Sequence, residues 1–333
     1  MGFPKKIKKI AVIFGAKIGD VVNVQPVCRV LKQKFPDSEL VFVTWPGAVE
    51  ITKLVPEVDF VEVFDNKGKG RNPLFFLQDA LNIRFKHKID LAVVINDSST
   101  YELMAFLIGA KYRIGRHKLG QSFFLNKKYT LTEADLEEIH VIKSYLKALE
   151  PIGLFTQDYS LSLKTDFAQA DIYYVDKLIK DAGYSDKKLI GFSPCSALEH
   201  KDWTPEESKK FIDLINQNTG HKVVLTGDYV ARDFAAKIRE LGTDDFLDLT
   251  CKTNLNQFLT LLKKFQKFVT VDTGSAHLAY VLKVPTLVMF FVNHFKYWGP
   301  LDLKLHKMIY KPDRHSLQAQ EVFNGCLLQN QQS

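Results

Sequence analysis

No stretch of this 333-residue chain approaches the roughly 20 consecutive apolar residues that a membrane-spanning helix requires. Cysteine is scarce: Cys28, Cys195, Cys251 and Cys326 lie far apart, with no C-x-x-C pair and no zinc spacing. That pattern excludes a disulfide scaffold and fits reduced thiols in a cytosolic protein. Charge of one sign is not in large excess. The formal net charge of +7 suits anionic substrates or an anionic membrane surface and is too small to argue for nucleic acid. No short-period repeat of the solenoid type is present. The lysines near the N-terminus precede an apolar run of only about seven residues, which reads as a strand and not as a signal peptide. Lys6 stands where a myristoylation signal has Ser or Thr.

What the chain does have is an ordinary globular composition, 46% hydrophobic and 25% charged, and enough length for two domains. Short apolar runs at Lys9–Phe14, Leu40–Thr44, Phe60–Phe64 and Leu91–Ile95 alternate with helical stretches at Val21–Phe35, Ala48–Leu54, Phe75–Lys86 and Leu136–Leu149. Pro26 is expected to kink the first of these helices or delay its regular part. Periodicity fades over Pro151–Lys164, and the alternation restarts with strands at Leu189–Phe192, Lys222–Thr226, Phe246–Asp248, Phe268–Val271 and, last, Thr286–Phe291. The expectation is an α/β chain of two Rossmann-like, doubly wound parallel-sheet domains, 1–155 and 156–333. Ligands of such sheets sit beyond the carboxyl ends of the strands. Facing domains would place Gly15–Asp20 on one wall of a cleft, and the loops at Ser196–Lys201, Gly227 and Asp272–His277 on the other.

The stretch Phe268–Pro285, FVTVDTGSAHLAYVLKVP, shows why. A buried strand runs into Asp272-Thr273-Gly274-Ser275, which opens a helix. Its first N–H groups have no intrahelical partner, and the helix dipole adds positive charge, so the junction suits a phosphate or diphosphate. Gly274 allows close approach to the backbone, and His277 lies about one turn in. A plainer account makes Asp272 a helix N-cap and His277 a core histidine.

Three segments, IGDVVNVQPVCRVLKQKFP, KDWTPE and VDTGSAHLAYVLKVPTLVMF, in this order along the chain, resemble glycosyltransferase family nine, the ADP-heptose:lipopolysaccharide heptosyltransferases. The resemblance implies a GT-B fold with the donor held mostly by the second domain. It also implies inverting, metal-independent transfer of heptose from ADP-heptose to the lipopolysaccharide inner core, with no cofactor. The absence of a D-x-D motif agrees with a metal-free site. Asp20 matches the family's catalytic carboxylate, placed to take the proton of the attacking acceptor hydroxyl; as a local feature it would cap the helix that begins at Val21. Lys201 matches the family's lysine ahead of Trp-Pro, here with Thr204 between Trp203 and Pro205, and a cation is wanted where the leaving diphosphate gathers charge. Ser196 and Ala197 occupy the small-residue loop that approaches phosphate. Thr273 and Gly274 are expected to offer amides to the diphosphate, Asp272 to face sugar hydroxyls, and His277 to complete the D-T-G-x-x-H motif. Trp203 reads as packing.

Departures from the family pattern bear on the nucleotide. Ala16-Lys17-Ile18 precede Gly19 where the family has a small hydroxyl residue. In the Gly227 loop, Ala231 stands where an acid holding the ribose is expected, leaving Asp228 or Asp233 as substitutes. The acceptor side is read from charge: Lys17, Lys69, Arg71, Arg116 and Lys118, among other cations of the first half, would meet lipid A phosphates, Kdo carboxylates and the anionic inner leaflet. A cytoplasmic enzyme, peripheral on the inner membrane, follows from that reading. Two rivals stand beside it: a GT-B transferase using another nucleotide-sugar or glycan acceptor, and a catalytically silent glycan- or nucleotide-binding relative.

Overall fold

The computed structural model describes residues 4, 6–65, 72–116, 123–243 and 245–327. The chain divides into two units, Met1–Lys164 and Thr165–Ser333.

The first unit runs β1 (Lys9–Ile13), α1 (Ile18–Lys34), β2 (Glu39–Thr44), α2 (Val49–Lys53), β3 (Phe60–Val63), α3 (Pro73–His87), β4 (Leu91–Val94), α4 (Ser99–Leu107), β5 (Tyr112–Arg116), β6 (Lys127–Tyr129), α5 (Glu133–Glu138) and α6 (Val141–Leu146). Its six strands form one parallel sheet in the order β3-β2-β1-β4-β5-β6. β1 and β4 are apolar on both faces because helices cover both sides of a parallel sheet. Helix α1 runs unbroken through Pro26 and starts three residues earlier than its apolar pattern suggests. The single helix expected at Leu136–Leu149 is two helices and a 3-10 turn. His140 breaks it, its ring Nδ1 accepting the Ile142 N–H as a new N-cap.

The segment after Gly153 belongs to this unit. Gln25 on α1 donates to Ser162 Oγ at 2.9 Å and accepts from its N–H at 2.7 Å, Arg29 donates to the Ser160 carbonyl at 2.7 Å, and the Lys164 N–H bonds the Leu54 carbonyl at 2.7 Å. The boundary therefore falls nine residues beyond 155, since a chain without periodicity can still be held by side chains of a neighbouring helix.

The second unit runs α7 (Gln169–Asp181), β7 (Lys188–Ser193), α8 (Pro205–Asn218), β8 (His221–Leu225), α9 (Tyr229–Glu240), β9 (Leu247–Asp248), α10 (Leu255–Leu262), β10 (Phe265–Val271), α11 (Gly274–Val281), β11 (Thr286–Phe290), α12 (Phe295–Trp298), β12 (Lys307–Tyr310) and α13 (Ala319–Leu327). The sheet order is β12-β11-β10-β7-β8-β9, again all parallel. Strand β12 was not expected: it is short, and its alternating burial lacks the continuous apolar run of a central strand. Helix α9 shows the usual logic of the outer layer, burying Ala231, Phe234, Ala235 and Ile238 on one stripe.

Counted from the first strand of each unit, both sheets follow the same order. Each therefore has a switch point where the winding reverses, between β1 and β4 in one and between β7 and β10 in the other. In sheets of this kind the crevice for a ligand opens at that point, beyond the carboxyl ends of the strands.

Candidate functional site

At the switch point of the first sheet, the loop after β1 meets the loop after β4. The Gly15 N–H donates to Asn96 Oδ1 at 2.7 Å. A side chain at Gly15 would collide with Tyr101, whose hydroxyl lies 1.8 Å from where the Cβ would stand, so only glycine admits this approach. The chain then turns into α1 at Lys17, which is exposed. Asp20 sits in the first helical turn and is half-buried. One of its oxygens accepts the Lys17 N–H at 3.2 Å, and the other accepts the Tyr145 hydroxyl at 2.9 Å. Tyr145 is held for this by edge-to-face packing on Phe14, the residue after β1, at 5.1 Å between centroids. Asp20 thus reaches back to its helix N-terminus and is also oriented by a phenol from α6. The capping role expected locally is thus filled by one oxygen, and the other is bonded to Tyr145. Tyr145 left no signal in the sequence, being 125 residues away.

Of the expected acceptor cations, Lys69, Arg71 and Lys118 lie outside the described residues. Arg116 is already engaged. Its guanidinium pairs with Asp97 at 3.2 Å and donates to the Leu131 carbonyl at 2.7 Å.

The second switch point gathers most of the remaining residues. Lys201 lies in the 3-10 turn Glu199–Lys201 after β7, and Asp272 directly follows β10. Their side chains meet across the gap, with Lys201 Nζ 2.6 Å from Asp272 Oδ2 and the two side chains 19% and 10% exposed. Asp272 is anchored by its own N–H, which donates to the Met289 carbonyl. Its carboxylate is therefore an ion-pair partner of Lys201; the N-cap position itself is Thr273.

Helix α11 begins at Gly274, and the side chain of its Thr273 cap accepts no hydrogen bond from the helix backbone. Instead the Thr273 hydroxyl is 2.6 Å from Ser275 Oγ, which approaches Thr270 Oγ1 at 3.3 Å. The Ala276 N–H donates to the Thr273 carbonyl at 3.1 Å; the Gly274 and Ser275 amides stand at the positive end of the helix, where an anion is favoured. His277 is 5% exposed, its ring against Tyr280 and Trp298.

The loop that carries Lys201 is firmly tied. Trp203 is fully buried; its N–H donates to the Pro194 carbonyl and its indole Nε1 donates to Leu317 O at 3.0 Å. The packing role expected for Trp203 is what the structure shows. Asp202 accepts the Ser196 N–H at 2.6 Å, and burial pushes its carboxyl above the usual carboxylate range. Ser196 turns the loop further, its Oγ accepting from the Leu198 N–H at 3.1 Å, while Ala197 is exposed. Arg314, from a distant segment, donates to the Glu199 carbonyl at 2.6 Å. The sequence reading missed both Asp202 and Arg314; only the adjacency of Asp202 to Lys201 offered a hint.

On the other flank, Gly227 has φ +147°, and a Cβ there would stand 2.4 Å from that of Ala231. The glycine lets α9 start directly against β8. Asp228 is the N-cap of α9, accepting the Val230 N–H at 3.0 Å. Asp233 is exposed, beside Arg232, and Ala231 is 3% exposed.

The sequence profile of glycosyltransferase family 9 (heptosyltransferase) matches residues 81–325. Among curated relatives, lipopolysaccharide heptosyltransferase 3 of Escherichia coli strain K12 is 24% identical over 288 residues, covering 85% of this chain and 82% of its own. The lipopolysaccharide core heptosyltransferase OpsX of Haemophilus influenzae is 22% identical over 294 residues, covering 86% and 80%. In fold, the chain is similar to a family 9 glycosyl transferase from Veillonella parvula, with TM-score 0.85, 20% identity and 97% of each chain covered. It is also similar to E. coli ADP-heptose lps heptosyltransferase II, with TM-score 0.81, 20% identity and 96% and 99% covered. A profile match over most of its length, on two parallel sheets of the GT-B kind, shows that this chain belongs to glycosyltransferase family 9, the heptosyltransferases.

Proposed function

We propose that this chain transfers heptose from ADP-heptose to the inner core of lipopolysaccharide, with inversion at the anomeric carbon and without a metal ion. The observation that carries the reading is the Lys201–Asp272 pair at the switch point of the second sheet, beside the N-terminal tip of α11. In this reading the second unit holds the donor. Its diphosphate lies on the amides of Thr273 and Gly274 and draws the ammonium of Lys201, which offsets the charge that collects on the departing ADP. Asp272 is aimed at the sugar, and Ser196 and Gly227 form the floor of the nucleotide site. The first unit supplies the base. The acceptor hydroxyl attacks the anomeric carbon, its proton passes to the Asp20 carboxylate, and the bond from that carbon to the phosphate oxygen breaks, releasing ADP.

The experiment is to incubate the protein with ADP-heptose and a Kdo-lipid A acceptor and follow ADP release. Acceptor-dependent release in the wild type, and its loss in Asp20→Asn with ADP binding retained, supports the reading. Turnover unchanged in Asp20→Asn removes Asp20 from that role.

One observation favours a second reading, a different nucleotide on the same diphosphate site. Asp228 uses one carboxylate oxygen to cap α9, and Ala231, where an acid holding the ribose is expected, is buried beneath Gly227 and carries none. A thermal-shift comparison of ADP with UDP and GDP decides between them.

The acceptor's membrane also has a counterpart on the first unit. Helix α3 exposes Leu74 and Phe85 at 75% and 73%, with Phe75 and Leu77 also outward, and exposed Arg84, Lys86 and Lys88 follow at its C-terminal end. An apolar stripe edged with cations suits the surface of an anionic bilayer. Among the described residues, no helix is long and apolar enough to cross one. Flotation with anionic and neutral vesicles tests this: binding to the anionic ones alone, weakened by Leu74→Asp and Phe85→Asp, is expected.

A further inference from the structure

The second unit holds a cavity of about 380 Å³ at the carboxyl ends of β11 and β12, within the roughly 300–1,000 Å³ span of small-ligand sites. Phe291, the residue after β11, and Pro312 give it an apolar surface; Glu199, His200, Asp313, Arg314 and His315 line the rest. The cavity is tied to both members of the Lys201–Asp272 pair. His200 precedes Lys201 in the turn Glu199–Lys201, and Arg314 holds that turn through the Glu199 carbonyl at 2.6 Å. Phe291 stands two residues beyond Met289, whose carbonyl accepts the Asp272 N–H at 3.1 Å. The imidazoles of His200 and His315 are exposed and make no hydrogen bond among the described residues. Two carboxylates face one guanidinium here, and that guanidinium lies 3.6 Å from Glu199 Oε1, so the lining does not select an anion. It suits a neutral polyol. Carboxylates accept from hydroxyls, a guanidinium donates to them, an imidazole can do either, and the apolar surface takes a C–H face.

We propose that this cavity receives the sugar ring of the donor, with His200 and His315 as the residues that grip its hydroxyls. The inference rests on the donor-site reading above. There the diphosphate lies at the switch point between β7 and β10, and the nucleoside lies on the Gly227 side, after β8. In the sheet order β12-β11-β10-β7-β8-β9 that is one direction along the carboxyl edge. A nucleotide-sugar carries its nucleoside and its sugar at opposite ends of the diphosphate. An extended donor therefore sends its sugar the other way, towards β11 and β12, where the cavity lies. The sugar passes His200, one residue from the lysine that meets the leaving diphosphate. Contacts made there, away from the bond that breaks, fix the ring so that its anomeric carbon is held at the phosphate.

The test is titration calorimetry with ADP and with ADP-heptose, beside steady-state kinetics, on His200→Ala, His315→Ala and the double variant. Neither ring is bonded within the fold, so the melting temperature is expected to stay at the wild-type value. The double variant binds ADP as the wild type does and binds ADP-heptose roughly tenfold to a hundredfold more weakly, the weight of two hydrogen bonds to neutral hydroxyls. The KM for ADP-heptose rises in step. Gln at either position, which keeps a hydrogen-bonding group, recovers part of the loss. Equal ADP-heptose affinity in wild type and double variant overturns the assignment. Equal losses for ADP and ADP-heptose overturn it as well, by placing the nucleotide in the cavity, and so does a rise confined to the KM of the acceptor. A wild-type chain that binds neither ADP nor ADP-heptose sinks the donor-site reading itself, and it is told apart because it fails before any substitution.

Discussion

Lys201 and Asp272 are 71 residues apart in the chain, and their charged ends are 2.6 Å apart in space. Each follows one of the two central strands between which the second sheet reverses its winding, so a cation and an anion are pinned where the fold opens its crevice. In the function proposed above, a donor phosphate would compete with Asp272 for the Lys201 ammonium.

Lys201→Ala is expected to lower kcat/KM by about two to three orders of magnitude, the scale of losing one preorganised group at a developing charge. It also strips Asp272 of its partner and is expected to destabilise the fold by about 1–3 kcal/mol. Adding Asp272→Asn recovers the stability and leaves activity low. Urea unfolding and steady-state kinetics on the two variants separate the roles, and recovery of activity together with stability would show that Lys201 acts only through the pair.

Tyr145→Phe removes the phenol that orients one oxygen of Asp20. The expected result is a fall in kcat of about tenfold, the weight of a hydrogen bond to a charged group, with ADP affinity unchanged, since the proposed donor site is built from residues of the second unit and Tyr145 belongs to the first. An equal loss in ADP binding would assign Tyr145 a different role.

Gly227→Ala forces a side chain into a left-handed backbone and against Ala231. A destabilisation of about 1–3 kcal/mol is expected, seen as a lower urea midpoint. ADP affinity should fall as well, because the start of α9 must shift. Coupling to Ala231→Gly, which removes the clash and keeps the backbone strain, should return part of the stability.

His306 gives the fold a pH dependence of definite sign. Burial lowers its pKa from 6.5 to about 4 in the folded chain, so between those values the unfolded chain binds the extra proton. Stability is then full at and above pH 6.5 and declines as the pH falls towards 4, by up to about 3 kcal/mol at 1.36 kcal/mol per pH unit. Asp302, which acts in the opposite direction, and the neighbouring Tyr280 ring are the groups that face it. His306→Gln is expected to flatten that slope in melting temperatures taken from pH 7 to 4.5.

Much of this was legible in the chain. The β1, β2, β4, β7, β8, β10 and β11 strands announce themselves by short runs of mostly apolar residues, because a strand covered on both faces has no polar face to show. The D-T-G-x-x-H segment pointed to the α11 tip because a strand–turn–helix junction presents unpaired backbone donors; Lys201 in K-D-W-T-P was singled out by the family resemblance alone. Tyr145, Arg314, Tyr280 and His306 gave no such sign. A tyrosine in a helix is compatible with core, surface or site, and only its neighbours in space decide among them.

Local pattern, then, determined that the chain alternates strands and helices in two units, and which loops sit at strand–helix junctions, because strand and helix periods and helix ends are properties of a few consecutive residues. Tertiary structure alone decided that Asp20 answers to Tyr145, that Lys201 is bonded to Asp272, and that the stretch after Gly153 is strapped to α1 and not left as a linker. Those pairings join residues 71 to 137 positions apart. The Lys201–Asp272 pair forms because parallel crossovers return the carboxyl ends of strands to the same edge of the sheet, and the other two because helix α1 packs against segments more than a hundred residues further on.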